Sequence, residues 1–127
     1  ADVILSKAEA LIETEGNVDE AVALINKIRT GRDDVRIKPL PVGLSREDAR
    51  VKLRHERRIE FALEGLYWMD IKRWKIGKDI YPMKVYSHKG DVIEVKFPNG
   101  YNEAYNLLPI PDSERSLNPK LSQNPGW

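Results

Sequence analysis

Glu56, Glu60 and Glu64 recur every four residues, and Asp70 follows them among Arg57, Arg58 and Arg73 within the stretch Leu53 to Trp74. On a continuous helix the three glutamates line one face. Paired carboxylates suit glycoside hydrolysis, which needs two carboxyl groups about 5 to 9.5 Å apart on opposite sides of a bond. Side chains on one helix face point the same way and cannot flank a sugar. Asp70 could supply the opposing group only across a bend at Gly65. A carboxylate-dependent hydrolase using Glu60 or Glu64 with Asp70 is therefore the weaker alternative. The default reading is an ion-pair lattice with Arg57, Arg58 and Arg73, which would hold two helical pieces together.

The aromatic residues offer a second chemistry. Tyr67, Trp68, Trp74, Tyr81, Tyr86, Tyr101, Tyr105 and Trp127 can stack on the C–H faces of sugar rings. Tyr67 and Trp74 stand at helical spacing and read as core. Trp68 and Trp74 are expected to pack the joint at Gly65, whereas Tyr86, Tyr101 and Tyr105, on or near turns, read as exposed. Other chemistries find no footing. A di-metal helical site needs Glu-x-x-His, but the residue three before His55 is Lys52, and His88 falls in an expected turn. Ser6, Ser45, Ser87, Ser113, Ser116 and Ser122 lack a nucleophile elbow, and the glycines form no phosphate-cradling loop. The residues point to no catalytic group, metal set or cofactor. They do not single out a ligand-binding residue. The expectation is a protein that is not an enzyme.

At 127 residues the chain is long enough for one domain with a real core. Charged residues make up 32% but the net charge is only +1, so no strong field draws nucleic acid or an anionic membrane. The absence of cysteine removes disulfides and thiolate chemistry from this stretch and leaves the redox compartment open. No apolar run has the length of a transmembrane helix. The chain opens on Ala rather than Met, directly in a helical pattern, and reads as part of something longer.

The elements that position these residues follow from periodicity. Ile4, Leu5, Ala8, Leu11 and Ile12 form one apolar face, with Gly16 expected to cap it. Asn17 and Glu20 open a second helix in capping-box style, carrying Ala21, Val22, Leu24, Ile25 and Ile28 as far as Gly31. The pair over residues 1–31 resembles one tetratricopeptide-type unit, which normally needs stacked neighbours. Residues 32–44 read as a loop. Ser45 and Asp48 restart a helix that runs, bent at Gly65, over 45–77. Alternation over 84–88 and 92–97 predicts a hairpin around Lys89-Gly90, with Ile93, Val95 and Phe97 on one face. Tyr105 to Leu108 could add a third strand within the hairpin region 84–108. The tail, 109–127, is expected to be extended apart from one helical turn near Ser113 to Ser116. The fold class expected is thus mainly α: a tetratricopeptide-like helical hairpin, a bent long helix, a small β-hairpin and an extended C-terminal tail, in a single domain.

Two motifs carry a resemblance. Glu56-Arg57-Arg58-Ile59-Glu60-Phe61-Ala62-Leu63-Glu64-Gly65 followed by Trp68-Met69-Asp70-Ile71-Lys72-Arg73-Trp74 resembles the C-terminal region of the SusD/RagB family. Leu108-Pro109-Ile110-Pro111, Glu114, Asn118-Pro119, Leu121 and the ending Gln123-Asn124-Pro125-Gly126-Trp127 resemble that family's terminus, and Ala1 to Leu11 with Ala21 to Arg29 its last tetratricopeptide-type unit. The resemblance implies a C-terminal fragment of a longer, surface-exposed outer-membrane lipoprotein, attached through a lipid anchor outside this chain. It implies non-catalytic capture of glycans, or of peptides in RagB-like members, for delivery to a SusC-like TonB-dependent transporter. No binding residue carries over, because the family's ligand site is built largely upstream; the two motifs are scaffold there. The hairpin from Lys84 to Gly100 matches no family pattern. The remaining alternative is a tetratricopeptide-type protein or peptide interaction module.

Overall fold

The apolar faces expected of the first two helices meet in a common core in a computed structural model that describes residues 1–31 and 37–127. Of the loop expected over 32–44, residues 32–36 lie outside the described residues. The chain divides into two compact units, Ala1–Tyr67 and Trp68–Trp127.

The first unit is built on α1 (Asp2–Glu13), α2 (Val18–Thr30) and α3 (Arg46–Glu60), each packed against the other two. Its core is Leu5, Ala8 and Ile12 from α1, Ala21, Val22, Ile25 and Ile28 from α2, Ala49 and Leu53 from α3, and Phe61. Ala8, Ala21 and Ala49 are fully buried, and their small side chains let the helices come close. The N-caps form where expected, although the Glu20 carboxylate pairs with Lys7 at 3.0 Å. The Asn17 side chain accepts hydrogen bonds from the backbone N–H groups of Asp19 and Glu20, at 2.9 and 3.2 Å. The Ser45 hydroxyl accepts one from the Asp48 N–H at 3.0 Å.

One cap differs. The left-handed residue after α1 is Glu15, at φ 60°, rather than Gly16. Gly16 is needed for close approach instead: a Cβ there would stand 2.9 Å from the Leu11 carbonyl oxygen. The orphan carbonyls at this helix end are met by Arg46. Its guanidinium donates to the carbonyls of Leu11, Ile12 and Gly16 at 3.1, 2.5 and 3.1 Å.

The bent helix expected over 45–77 is three helices. After α3 come α4 (Leu66–Trp74) and the single turn α5 (Gly77–Ile80). Phe61 to Gly65 is a turn, with Leu63 at φ 68° and Gly65 at φ 77°. Two left-handed residues so close together cannot continue an α-helix.

In the second unit, β1 (Met83–Tyr86) and β2 (Val92–Lys96) pair antiparallel, from Met83 opposite Lys96 to Tyr86 opposite Val92, with a register shift at Val85/Tyr86. The hairpin is where it was expected. Its single apolar face is not: all five residues of β2 are exposed, and Phe97 leaves the strand at φ 51° to join an aromatic cluster. The third strand expected at Tyr105 to Leu108 is absent. Glu103–Asn106 forms a 3-10 turn, started by the Asn102 side chain accepting from the Ala104 N–H at 3.0 Å. The helical turn of the tail is α6 (Asp112–Leu117).

Candidate functional site

The carboxylates of the Leu53 to Trp74 stretch do not form one ladder. Glu56 and Glu60 lie on α3, but Glu64 lies in the turn that ends it. Glu56 is buried, and its partner is not one of the three nearby arginines. Arg29 of α2 donates to its Oε2 at 2.5 Å while also holding the Lys38 carbonyl through Nε and Nη2, at 3.1 and 3.0 Å. Arg57, also buried, donates to the Asp2 carboxylate of α1 at 3.0 Å and stacks over the Phe61 ring. Arg58 lies over the Tyr67 ring, 5.0 Å from its centre. These charges tie α3 to α1 and α2, a scaffold role. In the second unit Asp70 is buried and accepts from Arg73 at 2.8 Å. His55 and His88 are exposed, and no cluster of three potential metal ligands gathers among the described residues.

The aromatic residues do come together. Trp68, Tyr81, Phe97, Tyr101, Tyr105 and Trp127 form a continuous chain of ring contacts with centroids 4.6 to 6.3 Å apart. Contacts of this kind add about 0.5 to 1.5 kcal/mol each beyond area burial. Trp68 thus packs a cluster within the second unit. Tyr101, expected to be exposed, is instead buried at its centre, donates its hydroxyl to Asn106 Oδ1 at 3.0 Å, and has its phenol pKa raised by burial. Tyr86 is exposed as expected. Gly77 is required here because a Cβ would lie 2.3 Å from the Tyr101 ring.

The ending Gln123 to Trp127 shows why its residue types matter. Gln123 clasps Ile110 at two points, accepting its N–H at 2.8 Å and donating to its carbonyl at 2.9 Å. Asn124 donates to the Leu108 carbonyl at 2.6 Å. Gly126, at φ 90°, turns the chain so that the Trp127 indole N–H reaches the carbonyls of Ala104 and Leu107 at 3.0 and 2.9 Å. Asn26 makes the same kind of two-point clasp on Leu40 in the first unit, at 3.0 and 2.7 Å.

Beside the aromatic cluster lies an open cleft of about 940 Å³. Lys72, Arg73, Lys75 and Lys78 line it, with Tyr101, Asn102, Glu103 and Asn106 opposite them in the chain. Lys78 pairs with Glu103, and that hydrogen bond lowers the Glu103 pKa. In the sequence, bases and aromatics interleave around Trp68 to Trp74 with acids balancing them, so these lysines do not stand out. Their signal was four bases within Lys72 to Lys78, masked by the near-neutral charge of the whole chain.

The sequence model of the SusD family matches residues 1–127. The chain belongs to the SusD family. A SusD-like protein of Formosa agariphila is 32% identical over an alignment that spans the whole chain and 25% of that protein. A SusD-like protein of Bacteroides fragilis, solved by crystallography, superposes with a TM-score of 0.81 at 29% identity, covering 99% of this chain and 24% of that one. A SusD homologue of Bacteroides thetaiotaomicron superposes at 0.74 with 28% identity, over 99% of this chain and 26% of that one. The SusD-family chain described here spans about a quarter of the length of these relatives. Its mainly helical fold with a small two-stranded sheet is the fold expected from the sequence.

Proposed function

We propose that the protein carrying this chain captures glycans at the cell surface, as an outer-membrane lipoprotein, and passes them to a SusC-like TonB-dependent transporter without chemical change. Family membership along all 127 residues carries this reading. It is supported by the use made of the charged groups: Glu56, Arg57 and Asp70 are buried and bonded within their units, as scaffold groups are. Trp127, at the edge of the aromatic cluster, and Tyr86 on the hairpin are exposed, and an exposed ring can stack on a sugar face.

Two measurements on the intact protein test this. A glycan array, followed by recovery of the bound oligosaccharide, should return a ligand of unchanged length. Affinity purification from outer membranes should bring down a β-barrel transporter. Recovery of a soluble partner protein instead would favour the tetratricopeptide-type interaction module.

A further inference from the structure

The cleft in the second unit holds more positive than negative charge: Lys72, Arg73, Lys75 and Lys78 line it with Glu103, which pairs with Lys78, while the Lys72 ammonium lies 5.7 Å from the centre of the Trp68 ring. Lys72 and Arg73 sit in the last turn of α4, where cations are favoured by the helix dipole, and Arg73 is engaged by Asp70. Lys75 is different. It lies past the helix end, exposed, with no ion pair among the described residues. The backbone there forms a Schellman cap: the Ile76 N–H donates to the Ile71 carbonyl and the Lys75 N–H to the Lys72 carbonyl, both at 3.1 Å. This cap puts Lys75 at φ 55°, a left-handed position normally given to glycine. Lys75 thus presents an ammonium group that no ion pair holds among the described residues, beside Lys72 and Lys78.

Polar donors stand beside the lysines. Asn102 and Asn106 each use their side-chain oxygen, accepting from the Ala104 N–H and the Tyr101 hydroxyl. The amide NH2 of each has no partner among the described residues. Ammonium groups for a charge and amide donors for hydroxyl or ring oxygens, in an open cleft of about 940 Å³, are the recognition set of an anionic sugar.

We propose that this cleft is an anion-recognising subsite for acidic saccharides, in which Lys72, Lys75 and Lys78 hold a carboxylate or sulfate ester. The proposal rests on the glycan-capture reading and names a ligand class for it. Lys75 and Lys78 are exposed and Lys72 is half-buried, so each contributes modestly, roughly a twofold to fivefold change in affinity.

The test is calorimetric titration of the intact protein with an oligogalacturonide, a chondroitin sulfate oligosaccharide and a neutral cello-oligosaccharide of equal length. At least one acidic probe should bind more tightly than the neutral one, and the two acidic probes separate carboxylate from sulfate. Raising the salt concentration should weaken that binding. Lys75→Gly should weaken it while leaving the melting temperature equal or higher, since glycine relieves the strain; Lys72→Gln should weaken it again. Equal binding of acidic and neutral probes would overturn the subsite and leave glycan capture standing. Acidic preference untouched by either lysine variant would also overturn it, placing the anion elsewhere. Failure to bind these probes by a protein that does capture another glycan on the array would overturn the ligand class alone. Failure to bind any glycan would overturn both readings.

Discussion

Replacing Glu56 by alanine should loosen the first unit by about 3 kcal/mol. The Glu56 side chain is 5% exposed and that of Arg29 15%, with 2.5 Å between Oε2 and Nη1, so both charges are largely out of water. Removing one member of such a pair costs roughly 3 to 5 kcal/mol, because the other charge stays buried without its counterion. The lower end applies, since Arg29 keeps its two hydrogen bonds to the Lys38 carbonyl. Hydrogen exchange of the intact protein, read on peptides covering Val18–Thr30 and Arg46–Glu60, isolates the affected region. A loss of about 3 kcal/mol in local opening free energy should speed exchange there more than a hundredfold. In an Arg29→Met background the same Glu56→Ala change should cost much less, because no buried cation is left behind. Less than a twofold change in exchange in the single variant would refute the buried-pair argument and make Glu56 a solvated surface charge.

Two further substitutions probe the second unit, whose folding can be followed by fluorescence because Trp68, Trp74 and Trp127 all lie in it. Gly77→Ala places a methyl group 2.3 Å from the Tyr101 ring, so the fluorescence melting transition should fall by an amount corresponding to about 1 to 3 kcal/mol; an unchanged transition would show that the ring moves freely. Gln123→Glu keeps an oxygen for the Ile110 N–H but sets a carboxylate against the Ile110 carbonyl, and should destabilise the tail more than Gln123→Met at neutral pH. The order should reverse at a pH where the carboxyl is protonated and can donate.

Local chemistry was legible in the sequence, and distant pairing was not. Apolar periodicity located α1 and α2, and Asn17 and Ser45 marked helix starts because a cap is made within three residues. The glutamate ladder failed because helical spacing was carried through Leu63, whose left-handed backbone nothing in its type announces. Arg29 meets Glu56 across 27 positions, and Arg46 meets Leu11 and Ile12 of α1 across 35 and 34, so neither pair has a local signature. Tyr105 to Leu108 has strand-like composition, but Asn102 turns the backbone and the Tyr105 ring packs on Phe97, Tyr101 and Trp127. Tertiary packing overrode propensity there. The ending motif was recognisable as a pattern, and its reason, side-chain amides and an indole satisfying backbone groups of Ala104 to Ile110, needed coordinates.

Capture without chemistry is the core of the proposed function. Titration of the intact protein with an oligosaccharide selected from the array, followed by mass analysis of the recovered sugar, tests it in one measurement. The predicted result is saturable binding with the oligosaccharide recovered at its original length. Shortened products would contradict capture without chemistry and point to the carboxylates as catalysts, and an absence of binding to every glycan offered would contradict glycan capture itself.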